Sequence, residues 1–102
     1  MNLEGEQGMS SSALPNGRYA VVEDNDQVGD IVFGAIRSKG SAVIHVLREG
    51  DGLHTVSFCV QTTGHDEHGS LIIGITDDER VVNLHLPAGG KPFAVIFGTD
   101  TL

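Results

Sequence analysis

The sequence predicts an all-β protein: a single small antiparallel sandwich or barrel, jelly-roll-like, of about seven strands behind a flexible N-terminal arm. Three observations predict it. Val and Ile number 18 against 8 Leu in 102 residues, and β-branched side chains pack well on a pleated surface. Gly, Asp and Asn interrupt the chain every 8 to 12 residues, the turn spacing of small β domains. Between the turns, apolar and polar residues mostly alternate, and no long stretch is read as helical.

Residues 1 to 16 form the arm. Glu, Gly, Ser, Gln and Asn dominate it, Leu3, Met9 and Leu14 are too widely spaced to make a face, and Pro15-Asn16-Gly17 closes it as a turn. Residues 17 to 102 form one β domain with strands expected at about 18–23, 30–37, 41–48, 53–62, 70–76, 80–86 and 92–98. Short turns separate them, which favours antiparallel neighbours because a parallel crossover needs about a dozen residues. Val56, Phe58 and Val60 share one face of the fourth strand, Val82, Leu84 and Leu86 one face of the sixth. In the fifth, Leu71, Ile73 and Ile75 point one way; in the seventh, Phe93, Val95 and Phe97 do, and the five aromatics, four of them Phe, are read as mostly at core parity. The second and third strands, around Ile31 to Ile36 and Ala42 to Leu47, are apolar on both faces. In a small antiparallel domain one face is ordinarily wet, so a second subunit is expected to cover the outer face, with Val32, Ile36, Ile44 and Val46 as the oligomer interface.

Composition excludes several functions. Six Lys plus Arg against 14 Asp plus Glu give a net charge of -8, too acidic to neutralise nucleic-acid phosphates or anionic lipid. No apolar run is long enough to span a membrane. Cys59 is the single cysteine, so no internal disulfide forms, and the core or oligomerisation must hold the fold. The opening residues, Met1-Asn2-Leu3-Glu4-Gly5-Glu6, lack a basic stretch followed by an apolar one. No signal peptide is therefore expected, and the expected location is the cytoplasm or a particle assembled there.

The chemistry-bearing candidates are few. Asp24 and Asp26, in Asp24-Asn25-Asp26-Gln27-Val28-Gly29-Asp30, offer hard oxygen ligands, but Val28 and Ala35 stand where an EF-hand needs oxygen ligands. The bland reading is a solvated turn. His65-Asp66-Glu67-His68 places two imidazoles three apart, with His54 as a third candidate ligand for zinc or nickel. A zincin requires His-Glu-x-x-His on a helix, so the bland reading is a polar hairpin tip. Gly90-Lys91 lacks the glycine spacing of a P-loop, and Cys59 has no basic neighbour to lower its pKa. No cofactor is implied.

The expectation is a non-enzymatic structural or assembly protein: a small self-associating β domain, such as a component of a ring or a virion-decoration-like particle. It would be a homo-oligomer with a protein partner in a larger assembly, without nucleic acid or membrane. The alternative is a small-ligand or protein-binding β module; a metal-dependent enzyme using the His65 to His68 loop ranks third.

Overall fold

The computed structural model describes residues 14–98. They form a closed ring of six antiparallel strands with one helix between the first two: β1 (Gly17–Val21), α1 (Asn25–Ser38), β2 (Ala42–Arg48), β3 (Gly52–Asp66), β4 (Gly69–Thr76), β5 (Arg80–Pro87) and β6 (Phe93–Gly98). Each strand pairs with its neighbour in sequence, and β1 closes the ring on β6, with Gly17 opposite Ile96 and Ala20 opposite Phe93. This is an all-β meander barrel. The expected jelly-roll crossovers do not occur among the described residues, and no described helix is long and apolar enough to cross a membrane.

The main correction is the second expected strand. Residues 30–37 lie in α1, and the reason is local. Asp24 is an N-cap whose carboxylate accepts the Gln27 amide at 2.8 Å, while the Gln27 side chain accepts the Asp24 amide at 3.0 Å. This reciprocal capping box satisfies two orphan donors of the first turn. Val28, Ile31, Val32 and Ala35 then follow at i, i+3, i+4 and i+7, one face of a helix. Val28, Val32 and Ala35 are buried. Gly29 and Gly34 each cost a helix about 1 kcal/mol relative to Ala, so burial of that stripe, more than propensity, holds α1. Lys39 takes the left-handed conformation at φ 56° and stops the helix, with the Gly40 amide on the Ala35 carbonyl at 3.0 Å.

Parity along the strands fills the interior. Ala42, Ile44 and Val46 of β2, Val56 and Phe58 of β3, Val82 and Leu84 of β5, and Ala94 and Ile96 of β6 are buried. On β4 the inward residues are Ile72, Gly74 and Thr76. Gly74 is obligatory, because a Cβ there would sit 2.3 Å from the Phe58 ring and 3.0 Å from the Cys59 carbonyl oxygen. Leu71, Ile73 and Ile75 therefore face outward, as do Phe93, Val95 and Phe97, which reverses the core parity expected for the Phe residues.

The two ends of the ring are closed differently. At one end α1 lays its buried stripe across the opening, and the Asn25 side-chain amide donates to the Pro87 and Gly90 carbonyls at 3.0 Å each. At the other, Leu14 is buried, the Tyr19 hydroxyl donates to the Pro15 carbonyl, and Asn16 accepts from Arg80 and from the Gly98 amide. Residues 14–16 thus belong to the domain, and Leu14 joins its core. The rest of the expected arm, residues 1–13, lies outside the described residues.

Gly74→Ala is expected to destabilise the fold by about 1–3 kcal/mol through overpacking against Phe58. Asp24→Ala is expected to cost about 1 kcal/mol through the lost cap. Urea titrations followed by circular dichroism check both; a Gly74→Ala midpoint equal to wild type would contradict the close approach.

Candidate functional site

The metal-ligand candidates separate in space. Asp24 spends its carboxylate on the helix cap, and Asp26 lies in the first turn of α1, so neither sits in the β-turn expected of them. His65 and His68 flank the tip of the β3–β4 hairpin. His65 Nδ1 is 2.8 Å from Ser70 Oγ, and the His68 amide donates to Asp66 at 2.8 Å. His54 lies at the opposite end of β3, eleven residues from His65, or about 36 Å along an extended strand. Its Nε2 meets the Asp51 carbonyl at 2.9 Å, and its ring stands edge-on to Tyr19. Among the described residues no three His, Cys, Asp or Glu side chains converge as metal ligands.

The expected interface residues also divide. Ile44 and Val46 point into the barrel and Val32 into the helix-barrel core, each nearly inaccessible. Only Ile36 is exposed, beside Phe33 on the outer side of α1. β2 carries apolar residues on both faces, but the outer ones are Val43 and Leu47. The strand is apolar on both sides; its parity relative to the barrel is the reverse of that expected.

A further apolar surface lies on the outside of β4, β5 and β6, its residues half-buried apart from Phe97. Register aligns it in three rows. Ile75, Val81 and Phe97 form one; Ile73, Asn83 and Val95 the next; Leu71, His85 and Phe93 the third. Seven of these nine positions are aliphatic or aromatic hydrocarbon, and none is Asp, Glu, Lys or Arg. With strands about 4.8 Å apart and same-face residues about 6.7 Å apart, the grid covers about 300 Å². In this acidic chain, the described carboxylates lie instead in α1, the turns and the hairpin tip.

The third row ends in a stack. The His85 ring lies parallel to Phe93 with centroids 4.5 Å apart, and the Arg18 guanidinium covers Phe93 at 3.8 Å. The stack borders a groove of about 480 Å³ lined by His65, His68, Leu71 and Pro87 among others. A cation over a ring face is an electrostatic attraction that strengthens as water is removed. Arg18 is a cation at one border of this face; carboxylates stand at others, in the Asp77–Glu79 turn beyond Ile75 and Val81 and at Asp66 in the groove.

A second polar feature joins β1 to β2. Glu23 follows β1, and its carboxylate meets His45 Nδ1 at 2.6 Å and the His45 amide at 3.1 Å. Burial alone raises the Glu23 carboxyl; the bonds from the His45 ring and the backbone outweigh it and hold the group below its ordinary value. Among the described residues no metal-ligand cluster accompanies the pair. Its position suits it to hold the entry to α1 against β2.

No family model, no curated protein and no solved structure matches this chain.

Because the folded Glu23 carboxyl is the stronger acid, its contribution to stability is present above the ordinary carboxylate value of 4.5. It is lost as pH falls through the depressed folded value. Glu23→Gln is therefore expected to lower stability at pH 7 and to flatten the loss of stability as pH falls below the ordinary value of 4.5; urea midpoints across acid and neutral pH decide. Millimolar zinc, nickel or calcium is expected to leave the melting temperature nearly unchanged. A micromolar site would add about 4 kcal/mol at a thousandfold excess, and a rise of that size abolished by His65→Ala with His68→Ala would install a metal site at the hairpin tip.

Proposed function

We propose that this chain is a non-enzymatic structural domain that works by self-association, as a subunit of a ring or of a larger particle in the manner of a virion decoration protein. The observation that carries this reading is the carboxylate-free apolar face of β4, β5 and β6. Two copies each carrying a net charge of -8 repel one another wherever carboxylates meet. The nine positions of this face let them approach with less of that cost, the acidic Asp77–Glu79 turn lying at its edge. Its grid of about 300 Å² is the dry centre of an interface that needs about 800 Å² per partner; Arg18 and the outer ends of β3 supply a rim. At about 25 cal/mol per Å², the grid contributes about 7 kcal/mol per copy before the losses of association. Outer sheet faces pack at about 10 Å with interdigitating side chains, and a two-fold pair centred on this grid would put Asn83 at the centre, flanked by Ile73 and Val95.

The groove beside Arg18, Phe93 and His85 favours a second reading, a small-ligand or protein-binding module. A stacked ring and a cation at the end of an apolar face suit an aromatic or acidic group. The two readings part on whether the protein associates with itself when nothing else is present.

Sedimentation of wild type at about 100 μM, a concentration above the Kd of an ordinary stable interface, is expected to show an oligomer. Val95→Glu is expected to reduce its mass while the circular dichroism of the β fold is retained. A monomeric wild type would overturn self-association and move the same face to a different partner.

A further inference from the structure

The barrel is closed, yet one strand outruns it. β2 begins at Ala42, which pairs with Phe58, and from there β3 continues to Asp66 with β4 on one side. Before Ala42 the chain leaves the sheet for the turn out of α1, so β2 does not continue beside residues 59–66. Among the described residues, no backbone bonds to β3 on its other side over 59–66, and residues 61–66 are all exposed. Natural sheets ordinarily blunt such an edge with Lys, Pro or a covering element. This one carries Thr62, Thr63 and Gly64, with neither Lys nor Pro.

A bulge changes the parity of the edge. The pairing slips between Val60 and Thr62, which reverses the parity beyond it, so Thr63 and His65 turn to the same side as Ile72 and Ser70. That side faces α1 across a groove of about 500 Å³, lined by Phe33, Ile36, Thr63, His65, Ile72 and Leu86. Phe33 is 58% and Ile36 51% exposed. An unpaired strand edge therefore runs beside an uncovered apolar helix face.

Charge selects the occupant. The tip of the hairpin carries Asp66 and Glu67, and the α1 start tied to the neighbouring Pro87 and Gly90 carries Asp26 and Asp30. The α1 end nearest Cys59 carries Arg37 and Lys39; Ser41 Oγ lies 3.6 Å from Cys59 Sγ there. The edge is acidic at one end and basic at the other. An identical strand laid antiparallel brings acidic end to basic end twice, by symmetry.

We infer that the 59–66 edge of β3 pairs antiparallel with the same edge of a second copy about a two-fold axis, making a continuous sheet between two barrels. Phe33 and Ile36 of each copy cover the other's hairpin, and Asp66 and Glu67 meet the partner's Arg37 and Lys39. This rests on the self-association reading and deepens it with a second contact, separate from the outer face of β4, β5 and β6. Two distinct two-fold contacts on one subunit build a ring or a chain of subunits.

The test uses Val95→Glu as background, which removes the outer-face contact. In it the protein is expected to sediment as a dimer at about 100 μM, and backbone amides of 60–66 are expected to exchange more slowly at high protein concentration than at low. Thr63→Lys at the edge and Phe33→Glu on α1 are each expected to weaken this dimer about tenfold or more, with the dichroism spectrum unchanged. Arg37→Glu is expected to weaken it, and Glu67→Arg added to it to restore it. A monomer in the Val95→Glu background overturns the edge contact and leaves the outer-face reading standing. A dimer that survives Thr63→Lys, or amide exchange independent of concentration, overturns it as well. If Thr63→Lys alone makes wild type monomeric and Val95→Glu changes nothing, the edge contact stands and the outer-face reading fails.

Discussion

Closure between β1 and β6 is the constraint on which the rest of the structure depends. Gly17, Arg18, Tyr19 and Ala20 pair with Ile96, Val95, Ala94 and Phe93, joining strands at the two ends of the described chain. Once the ring is closed, every strand has a defined inside, and parity within it follows because side chains alternate. A six-stranded ring is narrow, so the inside admits one layer of side chains. That is why Gly74 must stand against Phe58; Ala42 and Ala94 are also fully buried there. The ends then need lids, supplied by α1 on one side and by Leu14, Tyr19 and the Asn16–Arg80 contact on the other.

A narrow interior has a second consequence. The chain holds more apolar residues than the inside can take, and the surplus appears on the outside in register. Along β4 to β6 it forms a continuous face without formal charges; on β2 it appears as Val43 and Leu47, and on α1 as Phe33 and Ile36. Isolated exposed apolar residues are ordinary on any protein. Rows aligned by hydrogen-bond register are different, because neighbouring side chains exclude water from one another and present one dry surface.

The helix connects these surfaces. α1 caps the barrel and leads into β2 only at Ala42, which leaves β3 and β4 to project as a hairpin. One local event, the start of a helix at Asp24, therefore sets the lid, the groove and the overhanging edge together. The Glu23–His45 pair beside it fastens the point where the chain leaves β1.

Much of the fold was legible in the residues. The β-branched content, the turn spacing and the short loops gave an antiparallel all-β domain, and the faces of β3 and β5 follow from alternation. α1 was legible too, in the Asp24 to Gln27 capping box and the Val28, Ile31, Val32, Ala35 spacing. It was obscured by two glycines and by a β-branched run that reads equally as a buried strand. The metal candidates could not be placed from spacing, since His54 and His65 share a strand but lie at opposite ends of it. The outer faces of β4 and β6 were beyond reach for a different reason. Alternation fixes which residues share a face, but not which face is inside, when both are apolar. In β6, Phe93, Val95 and Phe97 have the larger hydrophobic surface and the better claim to a core. The ring turned them out, because its interior had room for Ala94 and Ile96 and not for three larger side chains.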